Sequence, residues 1–365
     1  MKKLLVMVVL AVGMMVSVAF GQNAGVVWTE VKNSPFKGSR INSIVWGKDK
    51  FVAVGGTSEY VGSTLVRKTS TIAYSSDGVT WTAVKNIPFD RVIVSNIYWY
   101  NDCFIAWGRD YGSQNHNRVS AYSCDGITWT SANNYLPFYN IAYGNNMFVA
   151  VGDFVEGTTY SSDGITWMSE NEFQENDGGC GSGVGDESNV VWGNGMFIKV
   201  MYRQDCEGPE RYISSAHSSD GINWTSMEVE GSFYHVVWGN DKFVITSSYP
   251  GMIRYSSNGI TWKEVKTKIF DYGGGVGNIA WGNNKFVVDV LSWEGCDSDD
   301  GDGGEYGDGC FYFPVSRNFA YSSDGITWAL AKNYPFSKST TGESTIVYGN
   351  GVFVAGNGDR LAYSK

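Results

Sequence analysis

From Val26 onward, short apolar runs alternate with polar turns, and two phrases carry the pattern. The first is a Tyr-Ser-Ser-Asp-Gly-Ile-Thr-Trp phrase at Tyr74–Trp81, Tyr122–Trp129, Tyr160–Trp167, His217–Trp224, Tyr255–Trp262 and Tyr321–Trp328. The second is an apolar run ending in Trp-Gly or Tyr-Gly, then a polar turn, then a Phe-Val-Ala-Val run. Its turns follow Trp46, Trp99, Tyr143, Trp192, Trp238, Trp281 and Tyr348. Such self-similarity at a period of about 50 residues marks a repeat architecture.

One repeat, Asn140–Glu170, predicts the rest. Ile141–Tyr143 reads as a first strand, Gly144-Asn145-Asn146 as a tight turn wanting positive φ, and Met147–Val151 as a second strand. Thr158–Ser161 reads as a third strand, Asp163-Gly164 as a turn, and Ile165–Met168 as a fourth. Four short strands per repeat predict an all-β, seven-bladed β-propeller of four-stranded antiparallel blades.

The ends complete each other. The last repeat stops at Leu361-Ala362-Tyr363-Ser364-Lys365, which is only a third strand. Gly25-Val26-Val27-Trp28 matches the missing Gly-Ile-Thr-Trp. The N-terminal strand is therefore expected to close the last blade and remove an exposed sheet edge. Residues 22–365 form one domain on this reading.

The repeated Asp suits an Asx-type turn, in which its side chain accepts backbone N–H bonds. The following Gly supplies a φ that other residues resist. The Trp brings apolar area worth at most about 4–6 kcal/mol when buried. Identical chemistry in every blade marks scaffold rather than catalysis. Asn258 replaces Asp in one copy, which an Asx turn tolerates and an acid catalyst would not.

The Ser-Ser-Asp-Gly-Ile-Thr-Trp phrase resembles the Asp-box, or BNR, repeat of sialidase-like propellers. The spacing differs from the usual Ser-x-Asp-x-Gly-x-x-Trp, because here Gly follows Asp directly. The resemblance implies the propeller fold. Sialidases of that family use three arginines on a carboxylate, a Tyr–Glu nucleophile pair and an Asp acid. Ser39-Arg40-Ile41-Asn42 lacks the aromatic and the Pro that mark the first of those arginines. The resemblance therefore carries fold and not activity.

The segment 1–21 reads as a signal peptide, with Lys2 and Lys3 before the apolar Leu4–Phe20. The mature chain is then expected to be exported, to a periplasmic, extracellular or cell-surface location, without membrane insertion and as a monomer. Its net charge is about −12, with 25 basic against 37 acidic residues. That argues against nucleic acid, whose phosphates need a basic stripe.

All long insertions fall between second and third strands or between blades, so they emerge on one face. Function lives on variable loops over a rigid scaffold. A ring of polar residues leads the first strands there: Ser43, Asn96, Asn140, Asn189, His235, Asn278 and Thr345. They read either as inter-blade bonding groups or as the floor of a ligand site. Pro-Phe loops at Pro35-Phe36, Pro88-Phe89, Pro137-Phe138 and Pro335-Phe336 enter the same face, with Trp293 among the nearby aromatics.

Six carboxylates fall in Glu170–Glu187 and six in Asp297–Asp308. Asp297, Asp299, Asp300 and Asp302 form a candidate calcium loop, but Gly and Asp stand out of register with the EF-hand pattern, and a solvated acidic loop is the competing reading. No other cofactor is expected. No Cys-x-x-Cys or paired His suits zinc, no Gly-Lys-Ser/Thr suits phosphate, and no Ser-His-Asp set can be assembled from three His.

The sequence thus points to a binding module for a glycan or protein partner on the long-loop face. The alternative is a polysaccharide-acting hydrolase or lyase with its site there. Six Cys in an exported chain predict three disulfides, and the repeat map pairs them as Cys103–Cys124, Cys180–Cys206 and Cys296–Cys310. Non-reduced peptide mapping should recover these three links. A free thiol, or a bond between blades, would contradict the map.

Overall fold

The computed structural model describes residues 23–61, 64–109, 118–132, 138–152, 158–169, 189–202, 213–227, 229, 233–248, 251–270, 275–293, 314–336 and 344–365. They form seven four-stranded antiparallel sheets in sequence order. Contacts between successive first strands run round a closed ring, from the seventh sheet back to the first. The chain is a seven-bladed β-propeller. Among the described residues no helix is long and apolar enough to cross a membrane.

The last blade is closed by the N terminus. Thr29 and Glu30 pair with Tyr363 and Ala362. The Gly25 N–H donates to Ser364 Oγ at 2.8 Å, just as Gly78 N–H donates to Ser75 Oγ at 2.9 Å inside an unbroken repeat. The repeat's loop is thus rebuilt from the two ends of the chain. Trp28 is 3% exposed, 4.3 Å from the Phe319 ring of the preceding blade.

In the unbroken copies the Asp carboxylate is the hub of the loop. Asp125 Oδ1 accepts from the Ile127 and Thr128 backbone N–H groups, both at 2.7 Å, and from the Ser123 hydroxyl at 2.8 Å. Asn258 Oδ1 takes the same role from Ile260 and Thr261 at 3.0 Å. This corrects the expected fourth strand. The segment after Asp is a hydrogen-bonded bend, and the outer strand begins past the Trp, as Met168–Ser169 rather than Ile165–Met168. Outer strands of two or three residues offer little edge for stray pairing.

The first-to-second turns have left-handed φ at both central residues, for instance Asn145 (47°) and Asn146 (56°). That is the turn whose twist suits a two-residue hairpin. The turns also bind the next blade. Asn350, Asn194 and Asn240 donate through Nδ2 to the carbonyls of Ser76, Ser257 and Ser323, at 3.1, 2.9 and 3.0 Å.

Glycine closes the blade spacing. The glycines that end the first strands, Gly47, Gly144, Gly193, Gly239 and Gly349, lie under the Trp99, Trp192, Trp238, Trp281 and Trp46 rings of the next blade, with no room for a Cβ. One junction differs. Tyr100 stands where the others have Gly, and its hydroxyl donates to the Gly164 carbonyl of the next blade. Burial, reinforced by the Asp163 carboxylate, pushes the Tyr100 phenol up to about 12, so it stays a donor. Its successor in the ring, Tyr143, is left 55% exposed.

Cys103 and Cys124 form a disulfide across the second and third strands of one blade, with Cα atoms 4.0 Å apart. Cys180, Cys206, Cys296 and Cys310 lie outside the described residues.

Deleting Val26–Val31 should expose the last blade's edge and lower the melting temperature sharply. Trp28→Ala should cost about 3–5 kcal/mol, measured by urea denaturation. The aspartate loops set an acid limit. Burial pushes Asp125 up, but bonds from Thr128, Ile127 and Ser123 outweigh it and hold the carboxyl at about 2. Bonds from Ile165, Thr166 and Ser161 hold Asp163 at about 2 as well. A depressed folded pKa stabilises above the unfolded value near 4 and is lost as pH falls toward the folded one. Stability should therefore drop between about pH 4 and about pH 2. Asp125→Asn with Asp163→Asn should flatten that drop in acid titration.

Candidate functional site

A central cavity of about 900 Å³ lies among the first strands, and all seven predicted ring residues line it: Ser43, Asn96, Asn140, Asn189, His235, Asn278 and Thr345. Their position is not always the start of a strand, as the sequence suggested. In blades 1, 2, 3, 5 and 6 the first strand begins earlier, and register shifts fall between Ile41 and Ser43, Val94 and Asn96, Phe138 and Asn140, Phe233 and His235, and Val276 and Ile279. A bulge adds a residue and re-aims the side chains beside it. The ring therefore sits at or just past a bulge in five blades and opens the strand only at Asn189 and Thr345.

Part of the ring holds blades together. Asn96 Nδ2 donates to the Tyr139 carbonyl at 2.9 Å, Asn140 Oδ1 accepts from Val190 N–H at 3.3 Å, and Ser43 Oγ reaches the Ile97 carbonyl at 3.5 Å. Among the described residues, the Asn189, Asn278 and Thr345 side chains make no hydrogen bond, which leaves their polar groups to the cavity. All three are half-buried.

The wall is uneven. Tyr98, Trp107 and Tyr139 line it from blades 2 and 3, with the Trp107 and Tyr139 rings 5.5 Å apart. Trp107 Nε1 donates to the Phe138 carbonyl at 3.0 Å. Arg40, which is exposed, lines the cavity too, and no Asp or Glu is among the described lining residues. The absence of acid is notable in a chain of net charge −10.

Sequence reasoning missed a buried polar set between blades 6 and 7. Asp289 is fully buried and accepts the Ser344 N–H at 2.9 Å through Oδ2. Asn357 Nδ2 donates to Ser344 Oγ at 3.0 Å, and Ser344 lines the cavity. Arg317 and Tyr334 complete the set. Burial, then the Asp289 carboxylate, pushes the Tyr334 phenol up to about 12. The available signal was Asp289 itself, an acid inside the apolar run Phe286–Val290. Trp107 gave a similar signal, replacing the Val of Phe-Val-Ala-Val.

Trp293 closes the second strand of blade 6, and its side chain is not among those described. Asp297, Asp299, Asp300 and Asp302 lie outside the described residues. Among the described residues no group of three His, Cys, Asp or Glu is placed to hold a metal ion.

No protein-family model matches the chain, and no curated protein sequence does. Solved structures do resemble it in fold. YCF48 from Cyanidioschyzon merolae is 15% identical, with 92% of this chain and 98% of that one covered and a TM-score of 0.52. A YCF48 bound to a D1 peptide is 13% identical, covers 92% and 95%, and has a TM-score of 0.53. A catalytically inactive His-to-Ala virginiamycin B lyase from Staphylococcus aureus, with quinupristin, is 10% identical, covers 93% and 99%, and has a TM-score of 0.56. Sialidase from Trypanosoma rangeli is also similar in fold, at a TM-score of 0.43, too low to bear on function. These likenesses show the fold alone.

Asp289→Ala should leave the Ser344 N–H without its buried acceptor and Arg317 without the carboxylate beside it. We expect a loss of about 3 kcal/mol in urea denaturation, with the ring of blades intact by circular dichroism.

Proposed function

We propose that the chain is an exported propeller, freed of residues 1–21, that binds a partner at the central cavity on its long-loop face. The partner class best supported is an extended protein segment. The observation that carries this reading is the cavity itself: about 900 Å³, ringed by seven polar residues and walled on one side by aromatics. Asn amides offer a donor and an acceptor together, which suits the alternating groups of a peptide backbone. The peptide-bound YCF48 supports the choice by showing a ligand of that class on a fold of this kind. A glycan remains the other partner class that amides and aromatics accept.

A second reading, a lyase acting on polysaccharide, rests on His235 in the cavity and on the histidine dependence of the lyase of similar fold. A two-carboxylate hydrolase finds no pair of acids among the described lining residues.

Titration of the mature protein against peptide and glycan arrays should find a ligand lost on Asn140→Ala with His235→Ala. The melting temperature should fall only slightly, because the Asn140–Val190 bond is lost while the repeated Trp and Phe core stays intact. Asn145→Ser, in a short turn, should leave binding unchanged. Loss of binding in the short-turn variant alone would place the site on the opposite face. Unsaturated product from a polyuronate, abolished by His235→Ala, would favour the lyase.

A further inference from the structure

The two connections that lead into the first strands of blades 1 and 2 are basic. The first carries Lys32 and Lys37 and ends at Arg40, and the second carries Lys85 and Arg91. All five side chains are exposed, and among the described residues none makes a hydrogen bond or ion pair. Among the described residues the nearby acids are mostly engaged. Glu30 pairs with Arg360 at 3.4 Å, and Asp359 Oδ2 accepts the Gly38 N–H at 3.1 Å, which leaves Asp90. Both connections start at the end of an outer strand and finish at the cavity mouth. The cations therefore form two neighbouring tracks running inward across the long-loop face to Arg40, which lines the cavity.

Arg91 adds an independent observation. The connections are equivalent, each anchored by a buried Phe, Phe36 or Phe89, with a left-handed residue two places later. In the first that residue is Gly38 (φ 77°); in the second it is Arg91 (φ 58°). Left-handed backbone disfavours a residue with a Cβ, and such strain persists where something else requires the side chain. Here the side chain is an exposed guanidinium two residues ahead of the first strand of blade 2.

We propose that these tracks recognise acidic side chains, so that the protein segment taken by the cavity is rich in Asp or Glu. The inference rests on the peptide reading above and specifies its ligand. An extended segment presents alternate side chains on one side about 7 Å apart, and carboxylates so spaced meet the row Lys37, Arg40 and Arg91 while the backbone meets the Asn amides. The rest of this acidic chain repels such a ligand, so the tracks also orient it.

The test titrates labelled peptides of alternating Glu-Ser, Lys-Ser and Gly-Ser into the mature protein by fluorescence anisotropy, with an oligogalacturonate as a further arm. We expect the Glu-Ser peptide to bind, to weaken at least about tenfold between low and high salt, and to weaken at least about tenfold on Arg40→Glu with Arg91→Glu. Lys242→Glu, on the short-turn face, should have no effect. Arg91→Gly should weaken binding without lowering the melting temperature, which separates recognition from folding. Equal binding of the Gly-Ser peptide, or silence of the charge reversals, overturns the acidic inference and leaves the peptide reading standing. Binding of oligogalacturonate alone overturns it in favour of an acidic glycan. Failure of all peptides overturns both.

Discussion

The glycine that ends the first strand in six of the seven blades sets how closely the blades approach. A flat aromatic ring from the next blade rests on the bare backbone, and any side chain there would force the pair apart. Second-strand phenylalanines then fill the gap from within each blade, 4.3–4.5 Å from the same Trp rings, for instance Trp46–Phe51 and Trp281–Phe286. Propeller angles are shared out round a closed circle, so one wide junction must be taken up elsewhere. The Tyr100 junction shows how. Its phenol reaches across to the Gly164 carbonyl, while Tyr143 keeps its place 4.4 Å from Phe148 and is left largely exposed.

The two faces spend their polar groups differently. On the short-turn side, Asn and Ser residues at the turns are occupied with neighbouring blades, as with Asn194 and Ser257. Lys48 joins in, donating from Nζ to the Cys124 carbonyl at 2.6 Å. That face is a binding layer of the scaffold for itself. On the long-loop side, among the described residues, the Asn189 and Asn278 amides and the Arg40 and Arg91 guanidinium groups make no bond to the protein. Unsatisfied groups at a rigid, concave surface are available to a partner without any rearrangement of the protein.

The repeats made the fold legible, because the turn residues and the closing strand are spelled out in local chemistry. Asn145-Asn146 demands left-handed backbone wherever it stands, and Gly25 to Trp28 copies a phrase found six times elsewhere. The ring at Ser43 and its equivalents was legible as a set of residues but not as a geometry. A bulge is decided by how a first strand meets its neighbours, and no residue type announces it. The outer strands were misplaced for a related reason. Period-two reading starts a strand at Ile165, whereas the Asp163 carboxylate has already claimed the Ile165 and Thr166 N–H groups. Asp289 and Ser344 belong to different blades and meet only at the junction between them, so their association was invisible before folding.

The loop shared by Gly25 and Ser364 has a kinetic side. The strand Thr29–Glu30 has no sheet to join until Arg360–Ser364 has been made, more than 330 positions later in sequence. Contacts of such separation form late and slowly, since a long loop must close before they are rewarded. The ring therefore stays open until Arg360–Ser364 has left the ribosome, and its last blade cannot lock before then. A ring closed by segments so distant in sequence gains its last junction in one late step, after the six blades built from consecutive strands are in place.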